Sequence, residues 1–393
     1  MRKPEALPYS ARMITTDGPR SDHQERILEL DGLRGIAILL VVFDHYEYGL
    51  SRHILPLAWS GVDLFFVLSG FLIGGILMDH RNSPDYFKTF YIRRACRILP
   101  LYFFWIGLFF FLAWLLAAHV SSSWYQIEFR RLLHVPDWSY FLFLQNFHMG
   151  RLNDSGPAWT IITWSLCVEE QFYLLMPFII WLMPPQKLPG AVLALVLAGA
   201  AFRLYLYLYS SVFTYVLLPC RSDGLLLGVL CAYLVRHPGI YGWLRRRRDW
   251  LYLIFGILLV GFVYLTVLAI RLNKSNFADI TSFEMNSFGY SLIDAFYACL
   301  LLMVVTAQDG PLARVLRLPL LRHFGMISYC IYLIHFAIHN LLQWFMLGGK
   351  PSPAGGIVTL LAFVTTWALA VASWKYFEKP IIQWGRSFRY EKT

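Results

Sequence analysis

The chain has 393 residues, of which 58% are hydrophobic and only 15% are charged. Soluble domains contain about one quarter charged residues, so this composition excludes an ordinary soluble enzyme, a disordered chain and a disulfide scaffold. The net charge of +10 would suit nucleic-acid binding in a soluble protein, but here the basic residues lie between apolar runs. We therefore predict an all-α polytopic membrane protein that binds lipid and no nucleic acid, with its basic residues orienting it in the bilayer.

The N-terminal part of the chain is polar and lacks the apolar core of a secretory signal peptide. We predict a flexible cytoplasmic tail over 1–29, a transmembrane domain over 30–380 and a cytoplasmic tail over 381–393. The six cysteines show no C-x-x-C spacing. They are therefore predicted to be buried thiols that form no metal site and no disulfide.

Ten apolar runs are long enough to cross a bilayer as helices. They lie at about 33–50, 57–78, 98–118, 162–183, 189–210, 217–235, 251–271, 287–307, 325–346 and 356–377. A further apolar piece at 138–149 is too short to cross, and we predict that it is interfacial or re-entrant.

The basic residues fix the predicted orientation. Ten spans place both termini on one side, and most of the 34 lysine and arginine residues then lie on that side. The positive-inside rule identifies it as cytoplasmic. A full span at 138–149 would instead move the arginine run 245–248 to the outside, so we reject that span.

The first span carries ionisable residues where they are expensive to bury. Arg34 lies at its start, and Asp44, His45 and Glu47 lie in its second half. The spacing between Arg34 and His45 is about 16 Å along a helix and about three turns, so both lie on nearly the same face. Histidine is well suited to proton transfer near neutral pH, which makes His45 a candidate catalytic residue. The alternative is a histidine that packs helices by bonding to a carbonyl.

The second span contains a single acid, Asp63, followed by Gly70, Gly74 and Gly75. Glycines at such positions favour close helix packing. Asp63 is expected to pair with His45 or with an arginine, and the sequence leaves that choice open.

Three arginines precede the third span: Arg93, Arg94 and Arg97. Arg94 and Arg97 are three residues apart and project from one helix face. Together with Arg34, they are candidates for binding phosphate groups. The alternative is simple anchoring at the cytoplasmic face.

The fourth span contains the adjacent acids Glu169 and Glu170, for which we predict a functional or ion-pairing role. In the ninth span, His335 and His339 have a spacing that could seat a metal ion. No third ligand is evident, so a metal is not expected. The other spans contain fewer ionisable residues, among them Arg203, Arg221, Asp223 and Asp294.

Taken together, these motifs resemble the acyltransferase-3 family of integral membrane O-acyltransferases. LDGLRGIAILLVVFDH is similar to the R-x10-H motif of the family, with Arg34 and His45, and FYIRRACRILP to its R-x-x-R motif, with Arg94 and Arg97. GVDLFFVLSGFLI resembles the second-span signature, and WSLCVEEQFYLL the acidic motif of the fourth span. RSDGLLLGVL, SYCIYLIH and YFEKP are similar to later blocks. The resemblance runs over about 30–380.

The resemblance implies a bacterial inner-membrane enzyme that moves an acyl group from acyl-CoA, with acetyl-CoA the expected donor. It implies a hydroxyl acceptor on a carbohydrate, such as an exopolysaccharide, a lipid-linked glycan or a macrolide sugar. It also implies that His45 is needed for catalysis. The chain corresponds to short members of the family, without the appended extracytoplasmic hydrolase-like domain of larger members.

Two mechanisms remain open. His45 acts as a general base on the acceptor hydroxyl, or it carries the acyl group as a transient acyl-imidazole. Asp44, Asp63 or one of the glutamates of the fourth span would orient its ring. A proton-coupled transporter or flippase is the alternative explanation of the buried acids. The acceptor, the acyl chain length and the oligomeric state are not determined by the sequence.

Overall fold

The computed structural model describes residues 27–117, 135–154, 156–157, 159–272, 282–348 and 355–391. In the first half of this part of the chain the helices are α1 (Leu28–Tyr46), α2 (Tyr48–Ile54), α3 (Gly61–Asp79), α4 (Tyr86–Ala117), α5 (Asp137–Phe141), α6 (Gln145–Leu152), α7 (Thr163–Leu182), α8 (Leu188–Tyr207) and α9 (Ser211–Val216). Residues 1–26 of the predicted N-terminal tail lie outside the described ranges.

The second half continues in the same way, and the described residues include no β-strand. Its helices are α10 (Leu218–Arg236), α11 (Pro238–Arg246), α12 (Arg248–Leu272), α13 (Tyr290–Thr306), α14 (Pro311–Leu316), α15 (Pro319–Leu347), α16 (Gly355–Ser373) and α17 (Lys379–Gly385). A π-helical turn, Met285–Gly289, leads into α13, and another, Trp374–Glu378, joins α16 to α17.

The all-helical fold class is confirmed. Within the described residues, 9 helical segments are long and apolar enough to cross a membrane, and they match the second to the tenth predicted spans. The helix at the first predicted span, α1, has 19 residues but carries several charges, including Arg34 and Asp44. That α1 crosses the membrane, and that both termini are cytoplasmic, stay predictions.

The piece predicted to be interfacial or re-entrant forms two short helices, α5 with 5 residues and α6 with 8 residues. Neither is long enough to cross a bilayer. Hydrogen bonds attach this segment to the long helices, because the Gln145 amide donates to the Tyr102 hydroxyl and to Thr163 Oγ1, both at 3.1 Å. The segment is thus held inside the bundle by buried polar contacts.

Two helix pairs form the centre of the bundle: α1 with α15, and α3 with α10. In the second pair the backbones come very close, because Gly70 faces the Leu225 carbonyl and Gly228 faces the Val67 carbonyl with no room for a Cβ atom. Gly74 packs on Val229 in the same interface. The predicted packing role of the glycines in the second span is confirmed at these positions.

We predict that Gly70→Ala lowers the melting temperature of the detergent-purified protein. The added methyl group collides with the Leu225 carbonyl, so α3 and α10 must separate, and overpacking of this kind costs about 1–3 kcal/mol. The matched control is Gly107→Ala in α4, where a Cβ meets no atom within 4 Å. Equal melting temperatures for the two variants would contradict the packing role.

Candidate active site

His45 lies at the end of α1, where this helix meets α15. Its Nδ1 atom is 2.9 Å from Nε2 of His335, and its ring centroid is 4.9 Å from that of Phe336. The neighbouring Tyr46 hydroxyl donates to the His335 carbonyl at 3.1 Å and lies 2.9 Å from Thr366 Oγ1 of α16. Contacts with α15 and α16 therefore hold this end of α1, and α15 supplies the side chains that touch the His45 ring.

A pocket of about 340 Å³ opens beside this ring, at the small end of the range for ligand sites. Its lining residues are His45, Tyr46, Glu47, Leu50, Phe336, His339, Asn340 and Gln343. The sequence analysis did not identify Phe336, Asn340 or Gln343. Their three- and four-residue spacings place them on one face of α15 together with His339, which is the signal that could have found them.

The sequence predicts that a carboxylate orients the His45 ring. In the structure, the ring contacts another histidine. Asp44 is buried and accepts a hydrogen bond from Ser51 Oγ at 3.2 Å, and Glu47 lines the pocket. The hydrogen-bond partners that the structure shows for the His45 ring are Nε2 of His335 and the Val41 backbone carbonyl. His335 had been considered only as a possible metal ligand. Within the described ranges, no group of three or more His, Cys, Asp or Glu residues is arranged to hold a metal ion.

Asp63 lies in a separate, fully buried ion pair. Its Oδ1 is 2.6 Å from Nη2 of Arg221, and the guanidinium carbon of Arg221 is 4.0 Å from the centroid of the Tyr290 ring. Of the two partners that the sequence left open for Asp63, the structure shows the arginine. Asp63 is therefore held by Arg221, and His335 takes the position beside the imidazole.

A second buried ion pair lies near the first. Arg203 Nη1 is 3.1 Å from Asp223 Oδ2, and Ser291 Oγ also donates to Asp223. Nη2 of Arg203 donates to Ser291 at 2.9 Å. These contacts connect α8, α10 and α13, so the pair joins three helices.

Towards the other end of α1, three of the predicted arginines come together. Arg34 lies within electrostatic range of both Arg94 and Arg97, and all three are partly exposed. The guanidinium of Arg94 lies 5.8 Å from the centroid of the Tyr173 ring. Three guanidinium groups in one partly exposed region can bind an anionic ligand, and the Asp31 carboxylate also lies within electrostatic range of Arg34.

Glu169 and Glu170 both lie within electrostatic range of Arg94, but they differ in their hydrogen bonds. Ser69 Oγ donates to Glu169 at 2.6 Å and accepts from the Tyr173 hydroxyl at 3.0 Å, and Glu169 is within electrostatic range of Arg34 and Arg94. Glu170 has one buried carboxylate oxygen with no hydrogen-bond partner among the described residues. Glu169 is thus held by Ser69, and the functional or ion-pairing role of both acids stays a prediction.

Arg93, the fourth predicted arginine, faces the C-terminal segment. Its Nε donates to the Phe388 carbonyl at 2.8 Å, and its guanidinium lies 5.2 Å from the Tyr390 ring centroid. The same segment bonds to Asp85, which accepts from the Glu391 N–H at 3.1 Å. Hydrogen bonds from Ser83 and Thr89 lower the pKa of Asp85 to about 2, so this attachment stays ionised at neutral pH.

The sequence of this chain is similar to a known protein family and to curated proteins. The model of the acyltransferase-3 family, described as an acyltransferase domain, matches residues 27–374. The peptidoglycan O-acetyltransferase OatA of Listeria monocytogenes is 26% identical over 367 residues, which cover 90% of this chain and 55% of that protein. A protein of Staphylococcus aureus named as a putative O-acetyltransferase is 26% identical over 370 residues, which cover 89% of this chain and 56% of its own length.

These matches cover most of this chain. The chain spans only about half the length of these curated relatives. No solved structure matches it.

We predict that Asp63→Ala strongly destabilises the fold. Removing one partner of a buried ion pair leaves an uncompensated charge, which costs about 3–5 kcal/mol. The control is Asp79→Ala, which breaks the partly exposed Arg236–Asp79 pair and should cost about 1 kcal/mol or less.

Melting temperatures of the purified variants measure the difference. The double variant Asp63→Ala, Arg221→Met should recover part of the lost stability, because it leaves no unpaired cation. If Asp63→Ala and Asp79→Ala gave the same loss, the buried pair would not have the structural role assigned to it.

Proposed function

The chain belongs to the acyltransferase-3 family, and on this premise we propose that it transfers an acetyl group from acetyl-CoA to a hydroxyl of a carbohydrate. One observation carries the proposal: His45 lines a pocket at one end of α1, and Arg34 joins an arginine cluster towards the other end. A single helix thus links an anion-binding cluster to a candidate base. The relatives that bear the name O-acetyltransferase support acetyl as the transferred group.

The arginine cluster suits the donor. Acyl-CoA carries phosphate groups, and guanidinium groups bind phosphate through paired, charge-assisted hydrogen bonds. Arg34, Arg94 and Arg97 would hold these phosphates, while the arm that carries the thioester reaches along α1 towards His45. This arrangement requires the cluster to face the cytoplasm, as the predicted orientation in a bacterial inner membrane places it.

The pocket beside His45 suits a hydroxyl-rich acceptor. The Asn340 amide nitrogen donates to the Phe336 carbonyl at 2.8 Å, and that of Gln343 donates to His339 Nε2 at 3.2 Å. Their amide oxygens and the Glu47 carboxylate are left to accept hydrogen bonds. A set of acceptors binds sugar hydroxyls and repels phosphate, so the two substrates are directed to opposite ends of the site.

Acetyl transfer replaces an O–H and a C–S bond by a C–O and an S–H bond. The acceptor O–H bond breaks, and its proton passes to His45 as the oxygen forms a bond to the thioester carbonyl carbon. The carbon–sulfur bond breaks, and the leaving thiolate takes the proton from His45. The products are the sugar ester and CoA with a free thiol. In the second open mechanism, a ring nitrogen of His45 bonds to the thioester carbon and expels the CoA thiolate. The acceptor oxygen then takes the acyl group from the imidazole, and the hydroxyl proton passes to the thiolate, so the products are the same.

The transporter alternative explains the buried acids as proton carriers. Asp63 and Asp223 are each paired with an arginine of another helix, so a structural role explains these two buried acids without proton transport. The ion pairs are better explained as helix connections, and the pocket with the arginine cluster favours group transfer.

We predict that His45→Ala abolishes acetyl transfer without loss of the folded protein. A general base contributes about 10²- to 10⁴-fold to a rate, so kcat should fall at least about 100-fold. The assay combines purified protein, labelled acetyl-CoA and a panel of glycans, with mass spectrometry of the acceptor and of His45 itself. An active His45→Ala variant would overturn the proposal, and so would transport of glycan by the wild type without acetyl-CoA and without product.

We also predict that substitutions at the two ends of the site change the KM values of different substrates. Arg94→Gln should raise KM for acetyl-CoA and leave KM for the acceptor unchanged, because it removes a phosphate-binding charge. Asn340→Ala should do the reverse. Arg314→Gln, at an exposed arginine of α14, controls for a general loss of positive charge. Equal effects of Arg94→Gln and Arg314→Gln would mean that Arg94 only anchors the protein.

A further inference from the structure

We propose that His335 is a positioning residue that fixes the tautomer of His45, so that Nε2 of His45 is the nitrogen that reacts. The inference rests on the proposed function, and it adds a residue and an atom to it. It starts from the contact between the partly exposed His45 and the buried His335, which lie 290 residues apart in the chain.

The backbone of α15 sets the protonation of His335. Its Nδ1 lies 3.0 Å from the Ile331 carbonyl oxygen and 2.8 Å from that of Tyr332. Carbonyl oxygens only accept hydrogen bonds, so Nδ1 of His335 must carry a proton and donate it. A neutral imidazole has one proton, so its Nε2 is an acceptor. The His335 side chain is fully buried, which favours the neutral ring.

The protonation of His335 in turn determines which nitrogen of His45 carries a proton. Nε2 of His335 is an acceptor and lies 2.9 Å from Nδ1 of His45, so Nδ1 of His45 carries the proton and donates it, and the Val41 carbonyl is a second acceptor beside the ring. The lone pair of the neutral His45 ring is then on Nε2. His45 lines the pocket in which the acceptor is proposed to bind, so the free nitrogen belongs to the ring beside the acceptor site.

This arrangement serves both open mechanisms. As a base, Nε2 takes the acceptor proton, and the imidazolium keeps its Nδ1–H bond to His335. As a nucleophile, Nε2 attacks the thioester carbon from a ring whose other nitrogen is already occupied. In both cases His335 does not touch the substrate, and it acts through the ring it orients.

The kinetic test compares His335→Gln with His335→Leu. The glutamine carbonyl can accept the bond from His45 Nδ1, whereas leucine has similar bulk and no acceptor. We expect His335→Leu to lower kcat at least about tenfold with both KM values unchanged, because the base is misplaced and its tautomer is no longer fixed. His335→Gln should restore most of kcat.

The control is His323→Leu, which removes another histidine of α15 that accepts a hydrogen bond from Trp367 at 3.2 Å. It should keep wild-type kcat. If His335→Leu kept wild-type kcat too, or if the glutamine and leucine variants lost the same kcat while folded, His335 would not be a positioning residue.

A second measurement reads the tautomer directly. In ¹⁵N NMR spectra of histidine-labelled protein, the signals of His45 are those lost in His45→Ala, and protonated and bare ring nitrogens have distinct shifts. We expect a protonated Nδ1 in the wild type and a change in His335→Leu. A protonated Nε2 in neutral wild-type His45 would overturn the inference. This NMR measurement does not require catalytic turnover. It can therefore distinguish a failure of the inference about His335 from a failure of the proposed function.

Discussion

The contact between α1 and α15 determines the geometry on which the candidate site depends. The two helices approach closely because Gly35 faces the Leu321 carbonyl and Gly325 faces the Asp31 carbonyl. At one end of α1, Glu29 pairs with Arg317 at 2.5 Å, and at the other end His45 meets His335. Fixing both ends of one helix sets the distance between the arginine cluster and the imidazole.

Charged groups in this bundle divide into two kinds with different surroundings. The pairs Asp63–Arg221 and Arg203–Asp223 are fully buried, and each combines opposite charges. They connect helices and have almost no net charge. The cluster around Arg34 brings three guanidinium groups together and is partly exposed, and Asp31 and Glu169 also lie within electrostatic range of Arg34. The guanidinium groups of this cluster can be reached by an anion, whereas those of the two buried pairs already contact a carboxylate.

Local spacing predicted some features of the site, and distant contacts determined the others. The Arg34–His45 register, the pairing of Arg94 with Arg97 on a face and the span positions follow from the period of a helix and the length of apolar runs. The partner of Asp63 is 158 residues away and that of His45 is 290 residues away. No periodic pattern encodes such pairs, because they depend on how the helices are arranged around one another. Arg93 could not be told from Arg94 for the same reason.

The long sequence separation of the α1 contacts has a consequence for synthesis in the cell. A ribosome makes α1 first, while Arg317 and His335 emerge almost 300 residues later. Until then the charges of α1 lack those partners, and a charged helix without partners is costly to keep in a bilayer. The stable placement of α1 therefore depends on helices that are synthesised last. The candidate site assembles only when most of the polypeptide has been translated.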